Sequence, residues 1–238
     1  MEYVHDMNQM NNINILYEDN HIIVAVKPFN MLSQKDSTND IDMLTLLKDY
    51  IKKKYNKPGN VYLGLVHRLD RPVGGVMVFA RSSKAASRLT DMFKKHDFTK
   101  KYLAVVNGLF EEKSGTYIDY LLKNEDGNTI VTTKDKGKYA ELKYKVIDEN
   151  KSNNLSLVEI ELLTGRHHQI RVQFASRGHY LYGDQRYGKQ NNEQIALWAY
   201  SLQFVHPVKK ELVNFICFPT FVNVWKIFST KLQNSSCK

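Results

Sequence analysis

The chain has 238 residues, an apolar share of 42% and a formal charge of +9, from 34 Lys and Arg against 25 Asp and Glu. The length is enough to bury a real core, as one large domain or two small ones, and the apolar share excludes wholesale disorder. The positive charge draws polyanions and puts RNA, DNA or an anionic membrane first among partners, without choosing between them.

Residues 1–12 carry acidic and amide side chains with no apolar signal core, so a flexible lead and no export signal are expected. The alternation Ile13, Ile15, Tyr17, the turn Asn20-His21 and the run Ile22 to Val26 predict a β-hairpin ending at Lys27-Pro28. Met43, Leu44, Leu47, Tyr50 and Ile51 recur at helical spacing after Asp40, a candidate N-cap. Lys52-Lys53-Lys54 and then Pro58-Gly59 suit that helix's C-terminus. Val61 to Val66 reads as a short strand leading into His67-Arg68-Leu69-Asp70-Arg71-Pro72-Val73-Gly74-Gly75, and Val76 to Ala80 as the strand leaving it. Ser82 or Ser83 caps a second helix with Ala85, Ala86, Leu89, Met92 and Phe93 on one face. Leu103 to Val106 is a strand, preceded by Lys100-Lys101-Tyr102 and stopped by Asn107-Gly108.

Glu111 to Gly137 is polar and predicts exposed loops around short strands. Ala140, Leu142, Tyr144 and Val146 alternate with charged residues, giving a strand with one wet face, and Leu155 to Leu163 is a further strand. Helical spacing returns with Ile170 and Phe174 on one stripe and His167, Arg171 and Ala175 on the next, with Gly178 as C′. Ile195 to Val205 and Leu212 to Phe218 predict two strands, and Phe221 to Leu232 a terminal helix. Many sequential strands without regular βα alternation argue for an α+β domain on a mixed, mainly antiparallel sheet. No apolar run reaches the length of a membrane span. Cys217 and Cys237 have no metal or redox spacing, which places Cys217 in a strand core, Cys237 on a tail and the protein in a reducing cytoplasm.

Familiar chemistries fall away in turn. No phosphate loop, Rossmann fingerprint or Gly-x-Ser-x-Gly elbow is present, and His167-His168 make no zinc motif because adjacent side chains on a helix diverge. One carboxylate remains among basic and aromatic residues. Asp70 stands between Arg68 and Arg71, which suits a nucleophile or a steering anion better than a proton donor. The plain alternative is a turn residue, since Asp before Pro and Gly is ordinary turn chemistry. Lys100 and Lys101 beside Tyr102 suit holding phosphate while stacking a base; the alternative is a solvated Lys pair with Tyr in the core. Thr164-Gly165-Arg166-His167-His168-Gln169-Ile170-Arg171 ends a strand and opens a helix whose first N–H groups suit an anion. At ~100° per residue Arg166 and Arg171 point roughly 140° apart, which suits one to phosphate and the other to a carboxylate; the alternative is a basic helix start on the surface.

Taken together these segments resemble the RluA-type pseudouridine synthases. The resemblance runs through Ile15-Leu16-Tyr17-Glu18-Asp19, Val26-Lys27-Pro28, His67-Arg68-Leu69-Asp70 and Lys100 to Gly108. It continues through Thr164 to Val172, Gly183-Asp184-Gln185-Arg186-Tyr187-Gly188 and His206-Pro207. It implies an α+β fold with a single catalytic domain over residues 13–232, a flexible tail at 233–238, and isomerisation of a uridine in ribosomal or transfer RNA to pseudouridine. It makes Asp70 the catalytic aspartate, Tyr102 the aromatic stacked on the target base, and Arg171 the arginine paired with the aspartate. Arg68 enters the RNA stack beside the flipped nucleotide, and Arg71, Lys100, Lys101, Arg166 and His168 are the expected RNA contacts. No metal, no cofactor, no membrane and a monomer are expected.

Three departures stand out: Val73-Gly74-Gly75 replaces the usual Thr-Ser-Gly, His167 the usual Thr, and Gln173 the usual His. They point to a subgroup with its own substrate. The S4-like RNA-binding domain of many relatives is not matched, so the catalytic domain or a partner is expected to grip RNA. Two rival readings are a non-catalytic RNA-binding protein that keeps the fold and a hydrolase with paired carboxylates. The first has no use for a carboxylate in a phosphate-attracting cleft, and the second lacks an obvious second acid.

Overall fold

A computed structural model describes residues 13–189 and 192–236; the expected lead over residues 1–12 and Cys237 lie outside them. The chain divides into two compact units interleaved in sequence. One comprises residues up to Phe98 with Leu202–Cys217, the other Thr99–Ser201 with the segment from Phe218.

In the first unit, β1 (Ile15–Glu18), β2 (Ile22–Lys27) and β4 (Gly74–Ala80) pair antiparallel, and β3 (Gly64–Leu65) pairs with β4. Every residue of β2 and β4 is buried, as their unbroken apolar runs require. The register from Ile22↔Ala80 to Lys27↔Gly75 places Lys27 opposite the glycine that ends the Asp70 turn. Gly75 has φ 129°, a value L side chains rarely adopt, so the turn needs glycine there.

Helix α1 (Met43–Lys54) is capped by Asp42, which accepts from the Thr45 amide at 2.9 Å. The sequence pattern pointed to Asp40, but the cap is the residue in extended conformation immediately before the helix. Asp40 instead lies 2.7 Å from Arg71. Helix α2 (Ser83–Lys94) is capped by Ser82 and buries Ala85 and Leu89 in a core with Ile22, Val24, Val78 and Phe204. The predicted strand over Val61–Val66 shrinks to β3, because it pairs with β4 only through Gly64 and Leu65.

In the second unit β5 (Phe98–Asn107, entered from the first unit at Phe98), β6 (Ser114–Lys123), β7 (Thr129–Thr132), β8 (Lys138–Asn150) and β9 (Leu155–Leu162) are ordered β5-β9-β8-β6-β7, with every neighbouring pair antiparallel. The polar stretch expected as exposed loops around short strands holds the short β7 but also the ten-residue β6. Its period is masked because Asp119 shares a face with Tyr117 and Leu121, while apolar Ile118 and Leu122 are exposed on the other. β10 (Leu197–Val205) leads from this unit into the first, where β11 (Leu212–Ile216) pairs with it.

Helix α3 (Gln169–Ala175) starts two residues later than its stripe implied, because His168 takes left-handed φ 52°. It closes where the amides of Gly178 and His179 donate to the carbonyls of Ala175 and Phe174. The terminal segment is a 3₁₀ turn over Asn223–Phe228 followed by α4 (Ser229–Ser236), with Val224, Trp225, Phe228 and Leu232 buried. That helix takes in residues 233–236 of the segment expected as a tail. Among the described residues no helix is long and apolar enough to cross a membrane.

Candidate active site

The Asp70 turn is fixed through its backbone on each side of the carboxylate. Ser33 Oγ donates to the Leu69 carbonyl at 2.8 Å and accepts from the Leu69 amide at 3.1 Å, and Ser33 is 5% exposed. The Val73 amide donates to the Asp70 carbonyl at 3.0 Å and closes the turn. His67 Nε2 accepts from the Val78 amide at 3.0 Å, and its ring stacks on Phe93 at 4.9 Å. Asp70 is half-buried, while Arg68 and Arg71 on either side are exposed.

Lys27 completes the brace. Its Nζ donates to the carbonyls of Met31, Arg71 and Pro28 at 2.5, 3.1 and 3.2 Å, and the side chain is wholly buried. Burial pulls its ammonium down to about 7, against the opposing pull of the Asp70 carboxylate, and the Arg71 charge lowers it further. Burial of charge is costly unless paired and hydrogen-bonded, and three carbonyl acceptors supply that pairing only in part.

In the second unit Arg171 is buried on α3 and meets Asp184 edge to edge. Its Nε donates to Oδ2 at 2.8 Å and its Nη2 to Oδ1 at 2.7 Å. Asp184 also accepts the amides of Arg186 and Tyr187 at 2.9 and 3.2 Å. Burial raises the Asp184 carboxyl, and the Arg171 hydrogen bonds and charge with the two amides more than offset this and hold it below the usual range. A bidentate pair of this kind fixes the guanidinium plane and leaves the Nη1 side of the fork to other acceptors. Gly183 before it takes φ 71°, and a Cβ there would lie 2.3 Å from the Gln194 carbonyl oxygen.

Tyr102 is 9% exposed on β5, opposite Ile160 of β9. The two lysines before it differ. Lys101 Nζ lies 3.2 Å from Glu159. Lys100 is half-buried, and among the described residues it has no ion pair or hydrogen-bond acceptor; a Cβ on Gly165 would lie 3.8 Å from its Nζ. Burial lowers the Lys100 ammonium to about 8.

The segment before α3 is braced by Gln169, whose Oε1 accepts from Thr164 Oγ1 at 2.8 Å and from the Arg166 amide at 3.0 Å, and whose Nε2 donates to the Glu141 carbonyl at 3.1 Å. Arg166 Nε donates to the Tyr139 carbonyl at 2.8 Å. Because His167 and His168 precede the helix, their rings do not diverge; they stack at 3.7 Å. His168 Nδ1 lies 2.8 Å from the Tyr187 hydroxyl, and His167 Nδ1 2.8 Å from Thr129 Oγ1. Gln173 is buried and donates to Asp119 at 2.7 Å, which Arg177 also meets at 2.9 Å.

The site residues read from sequence thus fall in two sets: Arg68, Asp70 and Arg71 in the first unit, and Lys100, Lys101, Tyr102, Arg166, His168 and Arg171 in the second. Sequence reasoning missed four supporting groups. Lys27, Asp184 and Tyr187 stand in segments that carried the resemblance, but their types gave no sign of what they would hold. Ser33 carried no local signal.

Three comparisons bear on this geometry. The family model described as RNA pseudouridylate synthase matches residues 21–176. An uncharacterized RNA pseudouridine synthase of Bacillus subtilis, YhcT, is 36% identical over 205 residues, covering 84% of this chain and 67% of the relative. The ribosomal large subunit pseudouridine synthase C of Haemophilus influenzae is 32% identical over 212 residues, covering 84% of this chain and 63% of the relative. The chain therefore spans about two thirds of the length of the curated relatives it matches. Among solved structures, human RNA pseudouridylate synthase domain containing 4 superposes with a TM-score of 0.78 at 20% identity, covering 97% of this chain and 98% of that one. Human RNA pseudouridylate synthase domain containing 1 gives 0.74 at 21% identity, covering 96% of each chain. These two likenesses concern the fold.

Proposed function

The chain belongs to the RNA pseudouridine synthase family, isomerases that convert uridine in RNA to pseudouridine, and from that premise we propose that it modifies a ribosomal RNA uridine with Asp70 as the catalytic aspartate. Transfer RNA is the second substrate class. Ribosomal RNA comes first because relatives at about a third identity carry ribosomal large subunit names.

The observation that carries the reading is the backbone bracing of the Asp70 turn by Ser33 and Lys27. A turn held at the carbonyls of Leu69 and Arg71 presents its side chain at a fixed angle, as preorganised reacting groups require. In the reaction the N1–C1′ bond breaks, the uracil turns and rejoins through C5, the C5 proton leaves and N1 gains one, so the RNA keeps its mass. Asp70 acts on C1′, on the base ring, or in promoting a glycal. Tyr102 stacks on the extruded base, whose removal from the duplex costs a few kcal/mol. Arg171 keeps the aspartate charged and aimed. Arg68 fills the vacated stack, and Arg71, Lys100, Lys101, Arg166 and His168 contact the RNA. The span 13–232 works as one catalytic domain, a monomer in the cytoplasm.

Pseudouridine mapping of total RNA from cells with and without the gene tests the substrate, and Asp70→Asn tests the site. Asp70→Asn is expected to abolish pseudouridine formation while RNA affinity stays within about twofold, as for a group used in the transition state alone. Retained turnover overturns the assignment of Asp70.

A further inference from the structure

The contacts around α3 and β7 converge on one phenol. The Tyr187 ring lies beneath the Arg171 guanidinium, whose carbon is 5.2 Å from the ring centroid. The Tyr187 amide donates to Asp184 Oδ1, the same oxygen that accepts from Arg171 Nη2. At its other end the Tyr187 hydroxyl accepts from the Thr129 amide at 2.8 Å and lies 2.8 Å from His168 Nδ1. Thr129 is the first residue of β7, opposite Lys123 of β6, and is 2% exposed. The same hairpin is tied twice more, by His167 Nδ1 at Thr129 Oγ1 and by Arg186 Nη1 at the Gly127 carbonyl, 3.2 Å away.

We propose that Tyr187 is a positioning residue that couples the β6–β7 hairpin to the Arg171 guanidinium; this rests on the reading of Arg171 as a catalytic residue. A phenol has only two side-chain torsions, so its hydroxyl and its ring face cannot move independently. A displacement of the Thr129 amide therefore moves the ring under Arg171. The guanidinium answers to it twice, through the face of the ring and through Asp184. Cation–ring contact at a desolvated site is strong enough to bias the orientation of an arginine. Lys123 at the end of β6 is exposed beside Leu122, and the turn after it exposes Glu125 and Asp126, so RNA held at Lys123 has a route to Arg171.

The competing role is packing alone, since Tyr187 also joins the apolar cluster of Leu121, Ala140 and Val172. Tyr187→Phe separates the two, because it keeps the ring in the cluster and removes the hydroxyl. The deciding readout is the single-turnover rate constant with folded enzyme in saturating excess over RNA, which a partial loss of folded fraction leaves unchanged. Tyr187→Phe is expected to slow that rate about 10-fold with the KM for RNA within twofold, and Tyr187→Leu about 100-fold, the scale of a small misplacement of a catalytic group. Should Tyr187→Leu fail to fold, Tyr187→Phe and His167→Ala carry the test, the latter slowing the rate by a smaller factor.

A Tyr187→Phe rate within twofold of wild type overturns the coupling, whatever happens to KM. Asp70→Asn in the same assay keeps the two ideas apart. If it turns over normally, the reading of the site fails. If it is inactive while Tyr187→Phe matches wild type, only the coupling fails.

Discussion

Arg171 and Asp184 share a two-bonded contact in which both side chains are buried, with Nε donating to Oδ2 and Nη2 to Oδ1. Such a pair is weak evidence of net stability, since each ion lost its water. Its use is geometric. Asp184 is in turn held by the Arg186 and Tyr187 amides, so the arginine inherits the rigidity of the 184–187 turn.

Removing one partner leaves the other uncompensated. Asp184→Ala is expected to cost about 3–5 kcal/mol, the usual cost of orphaning a buried charge, read as a lower urea midpoint at pH 7. The sign with pH follows from the lowered Asp184 carboxyl. Its contribution is present above the unfolded carboxylate value near 3.9 and is lost as pH falls through the lower folded value. The wild type should therefore lose its advantage over Asp184→Ala in acid. An unchanged difference between pH 7 and pH 3 would refute the linkage.

How far the sequence announced this arrangement depends on distance along the chain. The β2 and β4 runs, the Ser82 cap and the turn at Asp70 are local patterns, and they stand where the residue types put them. α3 starts two residues after its stripe, because His168 in left-handed conformation breaks a pattern that remains periodic in sequence. That shift turned two imidazoles expected to diverge into a stacked pair. β6 shows no clean alternation in sequence, because Ile118 and Leu122 stand on its exposed face and Asp119 on the inner one. Contacts such as Ser33 to Leu69, or Arg171 to Asp184, join residues 36 and 13 positions apart, and no period records them.

Lys27 gives a second pH test, in the opposite range. Its ammonium stands at about 7 in the folded chain against 10.5 when exposed. Between those values the unfolded chain binds the extra proton, so stability rises with pH by up to about 1.4 kcal/mol per unit. Below 7 both states are protonated and the slope vanishes. Lys27→Met should flatten the rise between pH 7 and 9.5 in urea titrations and also slow turnover, because the Met31 and Arg71 carbonyls lose their donor. A variant whose stability still rises as steeply as wild type would assign the slope to another group.

The two lysines before Tyr102 should part company in RNA binding. Lys101 is already paired with Glu159, a half-exposed contact of small net value, whereas Lys100 is half-buried and makes no ion pair or hydrogen bond among the described residues. A phosphate at Lys100 would gain a contact that the free protein does not make, and would release one counterion. Lys100→Gln is therefore expected to reduce the slope of log affinity against log salt by about 0.7 for single-stranded RNA, with a much smaller change for Lys101→Gln. The lowered Lys100 ammonium adds a pH signature. The protonated form binds phosphate, so wild-type affinity should decline as pH rises through about 8, and Lys100→Arg, which stays charged, should not show that decline. Equal salt slopes for Lys100→Gln and Lys101→Gln would mean that burial of Lys100 reflects packing and that the RNA charge is met elsewhere.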